Sequence, residues 1–148
     1  MLIQFRPANL DDGQALADLR VAAMKESLQA VGRFDPVRAR ERFLTGFDPG
    51  CTQQILQNGS QIGFWVLRQQ EPTWQLDHLY VLPGFQSQGI GSQVLAHVFG
   101  WADDAGRVLR LGALKGSRSN AFYLRHGFVK VDEGEWDVYY ERLPVYRR

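Results

Sequence analysis

The chain has 148 residues, with 17 Lys and Arg against 16 Asp and Glu, a formal charge of +1. A balance this even, with no block of like charge at either end, gives no electrostatic support to nucleic-acid or membrane-surface binding. Its single cysteine, Cys51, excludes an intrachain disulfide, and three scattered histidines lack zinc-site spacing, so no metal is expected and a reducing cytoplasm is the natural compartment.

A length of 148 residues without a long polar or Pro/Gly-rich interruption predicts one domain, residues 1–148, burying roughly 70% of its unfolded surface. The start, MLIQFRPANLDD, lacks the basic end and apolar run of a signal peptide, and no apolar stretch approaches the roughly 18 residues of a membrane span. Residues 2–6 read as a short strand ended by Pro7. Asp11 followed by Gln14 has the form of a helix capping box, and Leu16, Leu19, Ala23 and Leu28 then recur near helical period, leaving Asp18, Arg20, Lys25 and Glu26 mostly on the solvent side. A second helix is expected from Asp35 as cap and Pro36 at the first helical position to about Gly46.

Asn58-Gly59 between apolar runs predicts a hairpin of two strands, QQILQ and QIGFWVL. TWQLDHLYV is a further strand, stopped by Pro83, which has no donor for a ladder. Ile90, Val94, Leu95, Val98, Phe99 and Ala102 make the buried face of a third helix closed near Gly106. RVLRLGAL reads as a buried strand, SNAFYLRH as a short helix stopped by Gly127, and FVKVDE with WDVYYERL as a last hairpin. The order β-α-α-β-β-β-α-β-α-β-β implies an α/β fold, a mixed sheet with helices on both faces.

The junction VLPGFQSQGIGSQVL, residues 81–95, carries the chemistry. The first four N–H groups of a helix have no internal partner and the peptide dipoles add partial positive charge there, so a glycine-bearing entry is an anion site. A phosphate could meet the bare amides from Gln88 to Ser92 across Gly89 and Gly91. An ATP-type loop needs Gly-Lys-Ser/Thr, and no lysine follows Gly91; the dinucleotide fingerprint needs a third glycine or alanine where Val94 stands.

What remains is Val81-Leu82-Pro83 followed by Gln86-Ser87-Gln88-Gly89-Ile90-Gly91, with Phe122-Tyr123-Leu124-Arg125-His126-Gly127-Phe128 downstream. This combination resembles the GNAT superfamily of N-acetyltransferases, whose Gln/Arg-x-x-Gly-x-Gly/Ala loop follows a strand ending Val-x-Pro and whose second signature ends Tyr-x-x-x-Gly-Phe. The resemblance covers nearly the whole chain and implies a GNAT-like fold and acetyl-CoA as co-substrate. The loop would grip the CoA diphosphate while the pantetheine arm pairs with the backbone of Leu79, Tyr80 and Val81 like an added strand. It also implies that the strand 108–114 splays away at a bulge.

Acetyl transfer to an amine must remove a proton from a group with a pKa near ~10, hold an oxyanion and release a thiolate. The resemblance gives the last role to Tyr123 and the oxyanion to a backbone N–H near Val81. For the base, the resemblance implies a carboxylate or histidine on the cofactor side of this strand, a few residues before Val81, which by alternation favours Asp77, whereas a bulge between residues 78 and 80 would flip the parity to His78; a water relay is the third option. Ser117 and Asn120, the former standing where many relatives have Asn, are candidates to cap the last helix or to bond the pantetheine. His97 and His126 read as structural. Phe34, Trp65, Trp136 and Tyr139 suit an apolar or aromatic amine acceptor, a small molecule or peptide. The alternative on the same fold is a non-catalytic acyl-CoA-binding sensor or partner-binding module, and the final strands are candidates for pairing in a homodimer.

Overall fold

A computed structural model of the chain describes residues 3–146; Leu2, the first residue of the expected opening strand, lies outside them. Among the described residues the chain forms β1 (Ile3–Pro7), α1 (Gly13–Ala30), α2 (Pro36–Gly46), β2 (Thr52–Gln57), β3 (Ser60–Arg68), β4 (Thr73–Val81), α3 (Ile90–Ala105), β5 (Val108–Leu114), α4 (Ser119–Arg125), β6 (Val129–Glu133) and β7 (Asp137–Arg142), in the order the sequence predicts. The strands are hydrogen-bonded in the order β1-β2-β3-β4-β5-β7-β6. Parallel pairing between β4 and β5, with antiparallel pairing in β1/β2, β2/β3, β5/β7 and β6/β7, makes the sheet mixed. The chain divides into two compact units, one of residues up to Val66 with His78–Gly91, the other of Leu67–Asp77 with residues from Ser92 onward.

In the first unit the opening helical segment starts earlier than the Asp11–Gln14 pattern suggests. Asn9 accepts the Asp11 N–H through its side chain (3.1 Å), and Asp12 reaches back to accept the Asn9 N–H (2.8 Å). Asp12 also accepts from the amide of buried Gln54 on β2 (3.0 Å), so a tertiary bond selects this box over the local alternative. A 3-10 turn, Leu10–Asp12, leads into α1. The second helix starts as expected, with the Asp35 side chain accepting the Arg38 N–H (3.1 Å) and Pro36 at its first position.

Leu16, Ala17 and Leu19 of α1, Phe43 of α2, and Phe64 and Val66 of β3 form the core of this unit, joined by half-buried Leu44, Phe47, Tyr80 and Leu82. Burial of each large apolar side chain stabilises the fold by about 1.5–3 kcal/mol relative to exposure. Arg20 departs from its expected solvent-side position. It follows Leu16 by four residues and Ala17 by three, so it shares their face; its side chain is half-buried and Nη1 donates to the Ala39 carbonyl on α2 (2.8 Å). Asn58 and Gly59 take φ of 50° and 84°, the two left-handed positions of a type I′ turn. In the same hairpin Ile55 faces Gly63 while Leu56 faces Gln61, leaving Ile62 as the extra residue of a bulge.

The second unit is built on β5, whose Leu109, Leu111 and Ala113 are buried at every second position, and on the face of α3 carrying Val94, Leu95, Val98 and Ala102. The α3 helix closes at Gly106 (φ 65°), with Arg107 N–H donating to the Ala102 carbonyl (2.8 Å). The α4 helix closes at Gly127 (φ 89°), and Phe128 N–H donates to the Tyr123 carbonyl (3.2 Å). A buried ion pair, Arg142 with Asp103 (2.8 and 3.2 Å), ties the last strand to α3; Asp103 also accepts the Val145 N–H (3.0 Å), and the guanidinium lies over the Phe99 ring (3.9 Å).

Candidate active site

The turn that enters α3 has the form of an anion cradle. After β4, Pro83–Phe85 make one 3-10 turn, held by Phe85 N–H to the Leu82 carbonyl (2.8 Å). Gln86 folds back so that its amide donates to the Val81 carbonyl (2.8 Å), fixing the turn to the end of the strand. Ser87 (φ 63°) and Gly89 (φ 77°) both adopt left-handed backbone on either side of Gln88, the kind of alternation that gathers backbone N–H groups into a concavity. Gln86, Ser87, Gln88 and Gly89 are exposed, whereas Ile90 is 2% exposed and anchors the helix start. A Cβ at Gly89 would meet no atom within 4 Å, so open space lies beside that backbone; glycine is required by its φ rather than by crowding.

The C-terminal half of β4 presents two different edges and faces. Leu82 N–H donates to the Ile62 carbonyl (2.8 Å), and the Tyr80 carbonyl lies against Gly63, so alternate residues here turn their polar backbone toward β3. By strand alternation Leu79 and Val81 turn theirs to the opposite edge, where the resemblance expects a pantetheine arm. The His78 and Tyr80 side chains share one face: their rings lie 6.2 and 5.5 Å from that of Phe64, and His78 lies 5.6 Å from Phe43. His78 Nδ1 is hydrogen-bonded to the Tyr80 hydroxyl (3.2 Å). The parity therefore does not flip between 78 and 80. Asp77, by contrast, forms an ion pair with Arg68 Nε at the edge of the second unit.

In the second unit Tyr123 is buried among aromatic rings, 5.3 Å from Phe122, 5.5 Å from Phe128 and 6.4 Å from Tyr140. Asn120 is engaged by its surroundings: its amide donates to the Leu114 carbonyl (2.9 Å) and to Ser117 (3.0 and 3.2 Å), and its Oδ1 accepts from the Tyr140 hydroxyl (2.8 Å). Neither it nor Ser117 is the helix cap; Arg118 holds that position without a side-chain cap bond, since a guanidinium has no acceptor, and the Ser117 hydroxyl pairs with Ser119 (2.7 Å). His126, read as structural, is held at both nitrogens. The Phe122 carbonyl can only accept, so Nδ1 donates to it (2.8 Å) and Nε2 accepts from the Ser92 hydroxyl (2.9 Å). No sequence spacing signals this Ser92–His126 bond, which spans 34 positions.

The four expected acceptor residues fare differently. Trp65 is fully buried and edge-on to Phe5 (4.8 Å), which leaves its ring no surface for a ligand. Phe34 is half-buried beneath Lys25 (5.9 Å). Trp136 is 41% exposed, and Tyr139 lies under the Arg110 guanidinium (5.4 Å). Among the described residues no group of three or more His, Cys, Asp or Glu side chains could hold a metal ion, and no helix is long and apolar enough to cross a membrane.

A family model for an acetyltransferase (GNAT) domain matches residues 51–130, just over half of the chain. Comparison with curated proteins finds no match. Among solved structures the fold is similar to that of PaiA N-acetyltransferase from Thermoplasma acidophilum in complex with coenzyme A, at a TM-score of 0.81 and 17% identity over 97% of this chain and 99% of that one. It is also similar to an acetyltransferase from Thermus thermophilus, at a TM-score of 0.74 and 18% identity over 97% of each chain. The matched span contains both the Gln86–Gly91 turn and the Tyr123 segment, and the chain belongs to the GNAT family of N-acetyltransferases.

Proposed function

We propose that the protein moves an acetyl group from acetyl-CoA to a primary amine of a small molecule or peptide, by direct attack of the amine on the thioester, with residues 1–148 acting as one domain. The observation that carries this reading is the exposed turn Gln86–Gly89, with Ser87 and Gly89 left-handed, leading through Ile90 and Gly91 into the mouth of a 16-residue helix. Backbone donors there and the helix dipole suit a diphosphate. The backbone edge of Leu79 and Val81 receives the pantetheine amides in strand fashion, and the Val81 N–H stabilises the oxyanion. Tyr123 donates the proton that the departing thiolate takes.

The unflipped parity leaves Asp77 on the face of Leu79 and Val81, but its carboxylate is held by Arg68, and for the base we favour His78. Its ordinary pKa of about 6.5 suits proton removal near neutrality, and its face is lined by Phe43, Phe64 and Tyr80. Free-thiol release from acetyl-CoA across an amine panel tests the reading, run beside a thermal-shift titration. Acetyl-CoA at 100 times its dissociation constant should add about 2.7 kcal/mol, a Tm rise of roughly 5–10 °C, and at least one amine should release thiol. A thermal shift without thiol release for any amine would replace the enzyme by a CoA sensor, and no shift would remove both.

A further inference from the structure

Arg20, in the first unit, has no role in the acetyl-transfer reading. Its Nη1 donates to the Ala39 carbonyl (2.8 Å), and its guanidinium carbon lies 6.0 Å from the centroid of the Tyr80 ring. Its Nε is buried without a hydrogen-bond partner, and among the described residues no carboxylate pairs with it. Arg40, on the neighbouring helix, has Asp18 as counter-ion (2.9 Å). A half-buried guanidinium without an anion and with an unsatisfied N–H is costly for a fold to keep. With Nη1 committed to Ala39 and Nε covered by protein, Nη2 is the donor left to meet an incoming carboxylate.

The surroundings define what would bring that carboxylate. Tyr80, beneath Arg20, is hydrogen-bonded to His78, and both rings border Phe64. Segment 13–46 adds a positive bias, with Arg20, Lys25, Arg33, Arg38, Arg40 and Arg42 against Asp18, Glu26, Asp35 and Glu41. We infer that Arg20 receives the carboxylate of the acceptor, so that the amine acetylated is that of an amino acid rather than of a simple amine or polyamine. This rests on the acetyl-transfer reading. With the carboxylate at Arg20, the α-amino group is directed along the Tyr80 and His78 face and the acceptor side chain along the aromatic wall. A polyamine would bring a second cation to the guanidinium instead, and like charges at this spacing repel.

The test compares kcat/KM, by thiol release, for a panel of amino acids, their decarboxylated amines and their aminophosphonic analogues, in the wild type, Arg20→Gln and Arg20→Lys. The wild type should prefer the amino acid over its decarboxylated amine by about 10- to 100-fold, the range of a charge-assisted contact. Arg20→Gln should bring that ratio near 1, and Arg20→Lys, which keeps the charge but not the planar guanidinium, should fall between. A wild-type ratio within twofold of 1, a preference for the aminophosphonate, or an unchanged ratio in both variants would overturn the assignment. Circular dichroism checks each variant's fold, and Arg20→Lys carries the comparison should Arg20→Gln not fold. If no panel member releases thiol, amino acids must still raise the Tm of the wild type saturated with CoA and not that of the variants; no such shift overturns the Arg20 site. Absence of a Tm shift with acetyl-CoA alone would instead overturn the acetyl-transfer reading.

Discussion

Replacing Gly63 by alanine tests how closely β3 carries β4 at the residues where the thioester is proposed to lie. A Cβ at Gly63 would overlap the Tyr80 carbonyl oxygen and come within 3.0 Å of Ile55 Cδ1 and 3.3 Å of Val81 Cα. The Ile55 methyl can rotate aside, but the Tyr80 carbonyl and Val81 Cα are backbone, so the strands themselves must separate. Overpacking of this kind costs about 1–3 kcal/mol, and the loss of unfolded-state freedom on going from glycine to alanine offsets about 0.4–1 kcal/mol of it. The net loss should be about 1–2 kcal/mol, read as a lower urea midpoint at unchanged m and as a Tm fall of roughly 3–8 °C. Gly84→Ala is the control, because a Cβ there meets nothing within 4 Å, and it should stay within about 0.5 kcal/mol of wild type. A Gly63→Ala protein as stable as that control would refute the close approach.

Four further outcomes follow from the same geometry. Tyr123→Phe should lower turnover by about 10- to 100-fold while leaving the acetyl-CoA thermal shift in place, and equal turnover would remove the phenol from the mechanism. His78→Asn should lower kcat by about 100-fold or more, whereas Asp77→Asn should not; the reverse pattern would assign the base to Asp77. Asp103→Ala strands the buried Arg142 guanidinium and the Val145 N–H, so urea unfolding should show a loss of about 3–5 kcal/mol, and a loss under 1 kcal/mol would mean that the pair is solvated. The Lys130 hydrogen bond and then Lys115 hold the Glu133 carboxyl below its ordinary 4.5, so its stabilising contribution is present above the unfolded pKa and lost as pH falls through the folded one. NMR titration should show the Glu133 midpoint rising in Lys130→Ala, and no movement would mean that this exposed pair does not form in solution.

Much of this was legible because local chemistry and tertiary structure agree. Asn58-Gly59 demanded a type I′ turn, Pro83 ended β4, Asp35 and Pro36 opened α2, and Gly106 and Gly127 closed their helices at positive φ. The opening cap was misread because Asp11–Gln14 and Asn9–Asp12 are both acceptable boxes locally, and only the buried Gln54, 42 residues away, distinguishes them. Arg20 was misplaced for a related reason: a charged residue in a helical pattern reads as solvent-facing, yet a long side chain can lie on the core face and send its head to a neighbouring helix. The cradle was visible as Gln86-x-x-Gly89-x-Gly91, but the left-handed Ser87 was not, since serine gives no signal for that conformation. Trp65 could not be told from a pocket residue until β3 was known to be buried on both faces.

Calorimetric titration with CoA and with pantetheine addresses the foundation of the mechanism, the capture of a diphosphate by main-chain donors between Gln86 and Gly91 at the start of α3. Pantetheine keeps the arm and the thiol but lacks the diphosphate together with the 3′-phosphoadenosine, so CoA should bind at least about 100-fold more tightly, with the charge-assisted hydrogen bonds to phosphate and the helix dipole as the main contributions. Equal affinities for the two, or no heat with either, would contradict it.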